Sequence, residues 1–223
     1  MVAGGPGPDL AGHATSVPGL PPGAWVVAAD SGLARARALG LEVDLVVGDM
    51  DSVAAGLVDE AAAAGAAVDR HPEAKDATDL AIAVDAALAQ RPDRLVVLGS
   101  DGGRLDHLLS MVALLTSPAL ATVAVEAWLG PARLVVVRPG AAATLAGRPG
   151  DLVSLVPVAG RAAGVTTEGL LYPLHDEDLA AGSSRGVSNE LAAPTARVTL
   201  GDGVLLAVLP GEAGTHWRRG LHL

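Results

Sequence analysis

The stretch WVVAADSGLARARALGLEVDLVVGDMDS, residues 25–52, decides the fold of this 223-residue chain. It opens with an apolar run at residues 25–29 that predicts a buried strand, followed by a helix over residues 33–39 that Gly40 ends. A second apolar run, residues 44–47, predicts another strand. Nearly continuous apolar strands joined by a helix are typical of a parallel sheet with helices on both faces.

The alternation of helices and strands continues to about residue 130. Three further helices are predicted at residues 53–64, 78–89 and 105–116, and one further strand is predicted at residues 94–98. Residues 1–24 are rich in glycine and proline and are expected to be mostly loop, with Met1 to Ala3 as the stub of a first strand. Residues 1–130 are therefore predicted to form an α/β domain whose mostly parallel sheet is flanked by helices.

The pattern changes beyond Gly130 and Pro131, where no long helix is predicted. Short apolar runs separated by glycine-rich turns are typical of an antiparallel β-sandwich. Such runs lie at residues 134–137, 152–156, 196–200 and 204–209. We therefore predict that the α/β domain is followed by a C-terminal antiparallel β-sandwich in residues 131–223.

The charge and composition of the chain argue against several classes of partner. Twenty-five acidic residues against fifteen basic ones give a formal net charge of −10, and no basic run interrupts it. Such a surface repels nucleic-acid backbones and anionic membranes, so neither is expected as a partner. The chain has no cysteine, no apolar run of membrane-spanning length and no secretory leader pattern, so we expect a cytoplasmic protein without disulfides.

Two aspartates follow the second predicted strand, in the segment Gly48-Asp49-Met50-Asp51-Ser52. In extended backbone, side chains two residues apart leave on the same side, so Asp49 and Asp51 can present two carboxylates together. Mg²⁺ takes one or two carboxylates and completes its coordination with water and substrate phosphates. The alternative is an acidic turn in which Asp51 or Ser52 caps the next helix.

A second acidic segment, Lys75-Asp76-Ala77-Thr78-Asp79, precedes the third predicted helix. Asp79 is a candidate metal ligand, and Lys75 is a candidate phosphate contact. The alternative is that Asp76 caps the helix, Asp79 lies in its first turn and Lys75 is solvated, an arrangement that needs no ligand. Asp30, which follows the first strand, is a candidate nucleotide contact or a strand-end cap.

The segment Gly102-Gly103-Arg104-Leu105-Asp106-His107 opens the last predicted helix of this domain. Adjacent glycines let the backbone approach a ligand closely, and the amides at a helix start favour anions. Arg104 offers a planar, permanently charged fork that matches phosphate oxygens. Asp106 is a candidate metal ligand or base, and His107 is expected to be structural.

All four acidic segments, counting Ala29-Asp30-Ser31-Gly32, fall at predicted strand ends, where open α/β sheets bind their ligands. Carboxylates would repel a polyphosphate unless a cation lies between them, and Mg²⁺ fills that role by bridging carboxylate and phosphate oxygens. No Walker loop of the GxxxxGK[ST] type is present. The sequence therefore predicts an enzyme with a magnesium–polyphosphate site.

At these residues the chain resembles the thiamine pyrophosphokinase family, whose members carry the four segments in the same order. The second half adds Gly169-Leu170-Leu171-Tyr172-Pro173-Leu174 and Gly186-Val187-Ser188-Asn189-Glu190, which look like the family's thiamine-side motifs. The resemblance, which runs from Asp30 to Leu209, implies transfer of pyrophosphate from ATP to the thiamine hydroxyl with release of AMP. It also implies a catalytic N-terminal domain, a thiamine-binding and dimerising C-terminal domain, and a homodimer with composite active sites.

The resemblance also implies roles for individual residues. The expected magnesium ligands are Asp49, Asp51, Asp79 and Asp106. The expected catalytic residues are Asp51, Asp79, Arg104 and Asp106, and those expected to bind the co-substrate ATP are Asp30, Lys75, Gly102, Gly103 and Arg104. The residues expected to line the thiamine pocket are Tyr172, Ser188 and Asn189. On the residues alone, Tyr172 could equally lie at a sandwich edge, and Ser188-Asn189 could be an ordinary turn.

Three other functions are compatible with parts of the sequence. A related pyrophosphokinase could act on a hydroxymethylpterin, because the phosphate segments would serve either acceptor. A sensor could bind ATP or thiamine without turnover. A hydrolase is suggested by Gly182-Ser183-Ser184-Arg185-Gly186, with Asp202 and His216 in the order of an α/β-hydrolase triad, but no strand–helix context is predicted around Ser184.

Overall fold

The computed structural model describes residues 1–3, 20–100 and 102–211. Most of the glycine- and proline-rich segment that the sequence assigns to loop, residues 4–19, lies outside the described part. The contacts divide the chain into two compact units. Among the described residues, no helix is both long enough and apolar enough to cross a membrane.

The first unit comprises residues 1–114 and 127–130. Its parallel strands are β1 (Val2–Ala3), β2 (Val27–Ala29), β3 (Leu45–Gly48), β4 (Ala67–Arg70) and β5 (Arg94–Gly99). Its helices are α1 (Gly32–Ala38), α2 (Leu57–Ala63), α3 (Asp79–Ala89) and α4 (Leu105–Leu115), the last of which ends at the boundary of the unit. The predicted α/β domain with a parallel sheet and flanking helices is confirmed.

The strand order of the first unit determines where a ligand can bind. The strands are hydrogen-bonded in the order β4-β3-β2-β1-β5, and each neighbouring pair is parallel. The two-residue strand β1 is central, because Val2 pairs with Ala28 on one side and with Leu98 on the other. The chain runs outward through β2, β3 and β4 and then crosses β1 to form β5. Such a reversal leaves a crevice at the carboxyl ends of the strands beside it.

Two apolar clusters hold α1 and α2 against this sheet. One contains Val2, Leu98 and Ala36, and thus joins the central strands to α1. The other contains Val46 and Val58, and thus joins β3 to α2. Burial of each valine or leucine side chain stabilises the fold by about 1.5–3 kcal/mol. The strand ends that carry the acidic segments are therefore anchored by a packed core.

The second unit comprises residues 115–126 and 131–223. Strand β6 (Ala124–Leu129) is divided between the two units, and a short 3₁₀ helix, Pro118–Leu120, precedes it. The remaining strands are β7 (Ala132–Val137), β8 (Ala143–Ala146), β9 (Leu152–Glu168), β10 (Glu177–Leu179), β11 (Asn189–Glu190), β12 (Thr195–Thr199) and β13 (Asp202–Leu209). They pair antiparallel in the order β7-β13-β9-β12-β8, with β10 and β11 also on β9.

The 17-residue strand β9 organises the second unit. Its first half pairs with β13 and its second half pairs with β12. Between the halves, Ala159 and Gly160 have φ values of 58° and 134°, so the strand bends where it changes partner. The bend curls the sheet around a core that includes Leu145, Leu155 and Leu205. The predicted antiparallel C-terminal fold is confirmed as a curled, mostly antiparallel sheet.

Several boundaries differ from the sequence-based expectations. Helix α2, expected from residue 53, begins at Leu57 behind Gly56, whose φ of 82° places it outside the helix. The alternative in which Asp51 or Ser52 caps this helix is therefore wrong. The short strands β4, β6, β8, β10 and β11 are not predicted at all, and β9 extends twelve residues beyond its predicted end at Val156.

Gly169 allows two backbone segments of the second unit to touch. It has a φ of 76°, and a Cβ on it would lie 2.4 Å from the carbonyl oxygen of Thr195. Its own carbonyl accepts a hydrogen bond from the Ala192 N–H at 2.8 Å. Gly182 has nearly the same φ, 75°, but a Cβ there would meet no described atom within 4 Å.

Gly169→Ala is expected to destabilise the protein more than Gly182→Ala. Both changes place alanine in the left-handed region, at a cost of about 1–2 kcal/mol. Only Gly169→Ala adds a clash with fixed backbone, which costs about 1–3 kcal/mol more. Urea unfolding of the two variants measures the difference, and equal free energies of unfolding would contradict it.

Candidate active site

A cavity of about 530 Å³ lies at the carboxyl ends of β2, β3 and β5, within the first unit. It is lined by the turns that follow these strands and by the starts of α3 and α4. Its polar lining includes Asp30, Ser52, Asp79, Ser100, Gly102, Gly103 and Arg104, and α4 adds His107, Leu108 and Met111. Residues from all four acidic segments therefore meet at the cavity that the strand order predicts.

Three carboxylates converge at this end of the sheet. Oxygen atoms of Asp30, Asp49 and Asp51 lie within 4.8 Å of one another, although Asp30 follows β2 and the other two follow β3. Asp30 Oδ2 accepts a hydrogen bond from the Ser52 hydroxyl. Asp30 Oδ1 is buried and accepts no hydrogen bond from any residue that the structure describes. A buried carboxylate oxygen without a donor is costly, so the position suits a cation.

Gly48, the last residue of β3, makes room for the acidic residues around it. Its φ is 140°, and a Cβ there would lie 3.2 Å from Asp79 Oδ1 and 3.3 Å from Asp30 Cβ. The Asp30 N–H donates to the Val47 carbonyl at 2.8 Å, which continues the β2–β3 pairing up to the site. The missing side chain at Gly48 thus lets Asp30 and Asp79 approach the same point of the backbone.

Lys75, the only lysine of the chain, lies between two of the carboxylates. Its Nζ is 3.1 Å from Asp49 Oδ2 and 2.9 Å from Asp79 Oδ1, and 13% of its side chain is exposed. The pKa of Lys75 is raised, chiefly by its close contact with the Asp79 carboxylate. The alternative of a solvated Lys75 is therefore wrong, because the side chain links the start of α3 to the end of β3.

Thr78 caps α3 and leaves the Asp79 side chain available for this contact. Thr78 Oγ1 accepts a hydrogen bond from the Ala81 N–H at 3.2 Å, and the helix begins at Asp79. The alternative in which Asp76 is the cap is therefore wrong. A carboxylate in the first turn of a helix also interacts favourably with the helix dipole.

The carboxyl groups of Asp49 and Asp51 are shifted in opposite directions. The Asp51 N–H donates to Asp49 Oδ1 at 3.2 Å, and this hydrogen bond, followed by the one from Lys75, lowers the pKa of Asp49. The pKa of Asp51 is raised by its side-chain hydrogen bond with Asp49 and by repulsion from that carboxylate. Negative charge therefore accumulates here, a condition that a bound cation relieves.

Arg104 and Asp106 form a separate pair at the start of α4. Arg104 Nε and Nη2 donate to the two oxygens of Asp106 at 3.1 and 2.6 Å. This pairing lowers the pKa of Asp106. Arg104 lines the cavity, whereas Asp106 is neither among the lining residues nor one of the converging carboxylates. The structure thus brings Asp49, Asp51 and Asp79 together and leaves Asp106 with Arg104.

In the second unit, the predicted pocket residues lie next to one another but differ in exposure. The Tyr172 residue is 63% exposed, whereas Asn189 is buried. Asn189 Oδ1 accepts from the Tyr172 N–H at 3.0 Å, and its Nδ2 donates to the Tyr172 carbonyl at 2.7 Å. Ser188, with a φ of 60°, donates its N–H to Ser154 Oγ at 3.2 Å. The contacts of Asn189 are therefore those of a residue that positions Tyr172.

Two features of the site escaped the sequence analysis. Asp30, expected to contact nucleotide, joins the metal-directed carboxylates, and Ser52 is its hydrogen-bond donor. The sequence does contain a signal for the position of Asp30. Asp30 directly follows β2 and Asp49 directly follows β3, and the ends of two parallel strands lie at the same edge of the sheet. Nothing in the local sequence indicates the contact of Ser52, since it joins two turns that only the strand pairing brings together.

Comparison with known proteins finds relatives that match both halves of the chain. Residues 22–126 match the family model described as thiamin pyrophosphokinase, catalytic domain, and residues 143–205 match thiamin pyrophosphokinase, vitamin B1 binding domain. The chain is 28% identical over 211 residues to the thiamine pyrophosphokinase of Bacillus subtilis (strain 168). The aligned region covers 93% of this chain and 96% of that protein.

Solved structures give the same result. The crystal structure of thiamine pyrophosphokinase from Bacillus subtilis matches with a TM-score of 0.79 and 26% identity, over 95% of this chain and 97% of that one. The thiamin pyrophosphokinase structure from Geobacillus thermodenitrificans matches with a TM-score of 0.74 and 30% identity, over 93% and 94% of the two chains. The similarity therefore spans both units.

Asn189→Asp is expected to lower the free energy of unfolding at pH 7 by about 1–3 kcal/mol, because a carboxylate oxygen would face the Tyr172 carbonyl in place of the Nδ2 donor. Protonation lets the new carboxyl donate to that carbonyl, so the folded state raises its pKa. The deficit relative to the wild type should therefore shrink as the pH falls toward about 4. Urea unfolding at both pH values measures it, and unchanged stability at pH 7 would contradict the positioning role.

Proposed function

Because the chain belongs to the thiamin pyrophosphokinase family, we propose that it transfers pyrophosphate from ATP to the hydroxyl of thiamine, giving thiamine diphosphate and AMP. The observation that carries this proposal is the convergence of Asp30, Asp49 and Asp51 beside the cavity of the first unit. The cavity volume, about 530 Å³, lies within the range of small-molecule sites.

We propose Mg²⁺ as the cation of this site. The donor set fits it, because carboxylate oxygens are the ligands that this hard cation takes, and Asp30 Oδ1 is a buried oxygen without a described donor. Asp30, Asp49 and Asp51 would hold the ion, and Asp79 stands beside them through Lys75. When bound, the ion would offset the charge of the phosphate oxygens.

The phosphate chain of ATP is proposed to lie over the start of α4. Arg104 lines the cavity there, and its guanidinium matches phosphate oxygens in shape and charge. Gly103 has a φ of 94°, a backbone conformation that glycine adopts without strain. Gly102 and Gly103 carry no side chain, so their backbone amides are open to a close approach by a phosphate oxygen.

The proposed reaction is a displacement at the β-phosphorus. The thiamine hydroxyl oxygen attacks this phosphorus, the bond to the oxygen that bridges the α-phosphate breaks, and AMP leaves with that oxygen. The hydroxyl proton passes to solvent water as the new bond forms. Positioning and electrostatic stabilisation carry most of the rate enhancement in such transfers. Asp106 was expected as a metal ligand or base, but both of its oxygens accept hydrogen bonds from Arg104. We therefore propose that Asp106 orients the Arg104 guanidinium.

Thiamine is proposed to meet Tyr172 in the second unit. Tyr172 is exposed. Leu171, its neighbour in the chain, and Val187, in the second thiamine-side motif, are exposed as well. Exposed apolar patches often mark protein–protein or ligand-binding sites. These exposures support the homodimer with composite active sites that the family resemblance implies, and a cytoplasmic location completes the proposal.

The rival functions receive less support. The hydrolase hypothesis places Ser184 in an irregular segment between β10 and β11, without the strand-to-helix turn that such a nucleophile needs. His216, its third member, lies outside the described residues. A pterin acceptor is tested by offering hydroxymethylpterin in place of thiamine, and a sensor is tested by whether AMP forms at all.

Asp51→Asn is expected to lower kcat for AMP release by a factor of about 10²–10³, the scale of one lost electrostatic contact to the transition state. The free energy of unfolding should stay level or rise, because the change relieves repulsion from Asp49. AMP release from ATP is measured with thiamine, with and without Mg²⁺. Asp59→Asn, on the exposed surface of α2, is the matched control and should behave like the wild type. Undiminished turnover by Asp51→Asn would refute the assignment.

The composite site predicts complementation between two inactive variants. Asp51→Asn disables the first unit and Tyr172→Ala the second, so a mixed dimer still contains one site with both halves intact. Unfolding and refolding a mixture of the two is expected to restore AMP release above the sum of the separate samples. A mixture that recovers nothing, while light scattering shows dimers, would contradict a shared site.

A further inference from the structure

The use of lysine in this chain singles out one position. Lys75 is the one lysine among fifteen basic residues, and the remaining fourteen are arginine. This lysine lies between two carboxylates, with its Nζ 3.1 Å from Asp49 Oδ2 and 2.9 Å from Asp79 Oδ1. An ammonium group is a compact point charge on a flexible stem, whereas guanidinium is a rigid planar fork. Lysine is therefore the side chain that best imitates a small inorganic cation.

We propose that Lys75 is an exchangeable internal cation: it neutralises Asp49 and Asp79 before a divalent cation binds, and it gives up these carboxylates when the cation arrives. Its ammonium then turns to the phosphates of the nucleotide. The second step rests on the proposed function, since it needs the polyphosphate, while the first step needs only a divalent cation.

The contacts of Asp49 explain why an exchange is required. Its Oδ1 accepts the Asp51 N–H at 3.2 Å, and its Oδ2 is held by Lys75 at 3.1 Å. Each oxygen thus has one partner already, and a cation bound to Asp49 in the group of Asp30, Asp49 and Asp51 would lie close to the ammonium and be repelled by its positive charge. The Asp51 N–H belongs to the backbone of the same turn, whereas the lysine stem can rotate away. Lys75 is the partner that yields.

The exchange predicts that removing Lys75 has opposite effects on two affinities. Lys75→Met should bind Mg²⁺ more tightly than the wild type in the absence of nucleotide, because the competitor is gone. The same variant should bind Mg-ATP more weakly, because the phosphates lose a cationic partner. Isothermal titration with Mg²⁺ alone measures the first effect, and about a fivefold change is expected, the factor that corresponds to a single ion pair.

The single lysine also makes the exchange directly observable. Acetylation of Lys75 by a water-soluble N-hydroxysuccinimide ester, followed by peptide mass spectrometry, reports whether its ammonium is held or released. Mg²⁺ alone is expected to speed this modification about fivefold, because the ion pairs to Asp49 and Asp79 are lost. Addition of tripolyphosphate together with Mg²⁺ is expected to slow it again.

Two variants serve as controls. Arg37→Met removes the same amount of charge from an exposed ion pair with Glu60 in the same unit, and it should leave Mg²⁺ affinity unchanged. Asp49→Asn should abolish the effect of Mg²⁺ on Lys75 acetylation. Two results would overturn the exchange. One is a Mg²⁺ affinity of Lys75→Met equal to that of the wild type. The other is a rate of Lys75 acetylation in the wild type that Mg²⁺ does not change, even if Lys75→Met binds Mg²⁺ more tightly.

The exchange and the proposed function can fail separately. AMP release by a protein whose Lys75 does not respond to Mg²⁺ would overturn the exchange and leave the enzymatic proposal standing. A lysine that responds to Mg²⁺ in a protein without AMP release would support the exchange and overturn the enzymatic proposal.

Discussion

The architecture of the first unit depends on holding like charges together at one edge of a parallel sheet. Unit charges about 4 Å apart repel by about 1 kcal/mol in water and about 4 kcal/mol near a protein surface, so Asp30, Asp49 and Asp51 oppose their own approach. Backbone pairing of β2 with β3 and the apolar core beneath the strands fix their positions nonetheless. Gly48 supplies the space, and Lys75 offsets part of the charge. The stability of the sheet thus maintains a site that is unfavourable without a cation.

The sequence predicted those parts of this site that local chemistry determines. The helices α3 and α4 agree with their predicted spans to within one residue, because their apolar periodicity and flanking polar residues are local signals. The strand ends that carry Asp49 and Asp51 were predicted for the same reason. The partnership of Asp30 with this pair was not, because it follows from the order in which distant strands align. The stub of β1 was expected, but its place at the centre of the sheet was not, because that too follows from the strand order.

In the second unit the sequence predicted the fold class better than the individual strands. Strand β9 was expected to end with its apolar run at Val156, yet pairing with β13 and β12 continues it to Glu168. The place of Asn189 in the thiamine pocket is implied by the family resemblance and stays a prediction. Its hydrogen bonds to the N–H and the carbonyl of Tyr172 could not be predicted from the sequence, because they depend on the tertiary arrangement.

The antiparallel pairing of the second unit has a consequence for how it forms. Strand β13 lies between β7 and β9, and Val137 faces Leu205 although strands β8 to β12 lie between them along the chain. Contacts between such distant residues slow folding, because a long segment must be ordered before they are made. During synthesis on a ribosome, the backbone groups of β7 and β9 that pair with β13 would stay unpaired until β13 has been synthesised. The parallel half can assemble earlier, so transient exposure during biosynthesis falls mainly on the curled sheet.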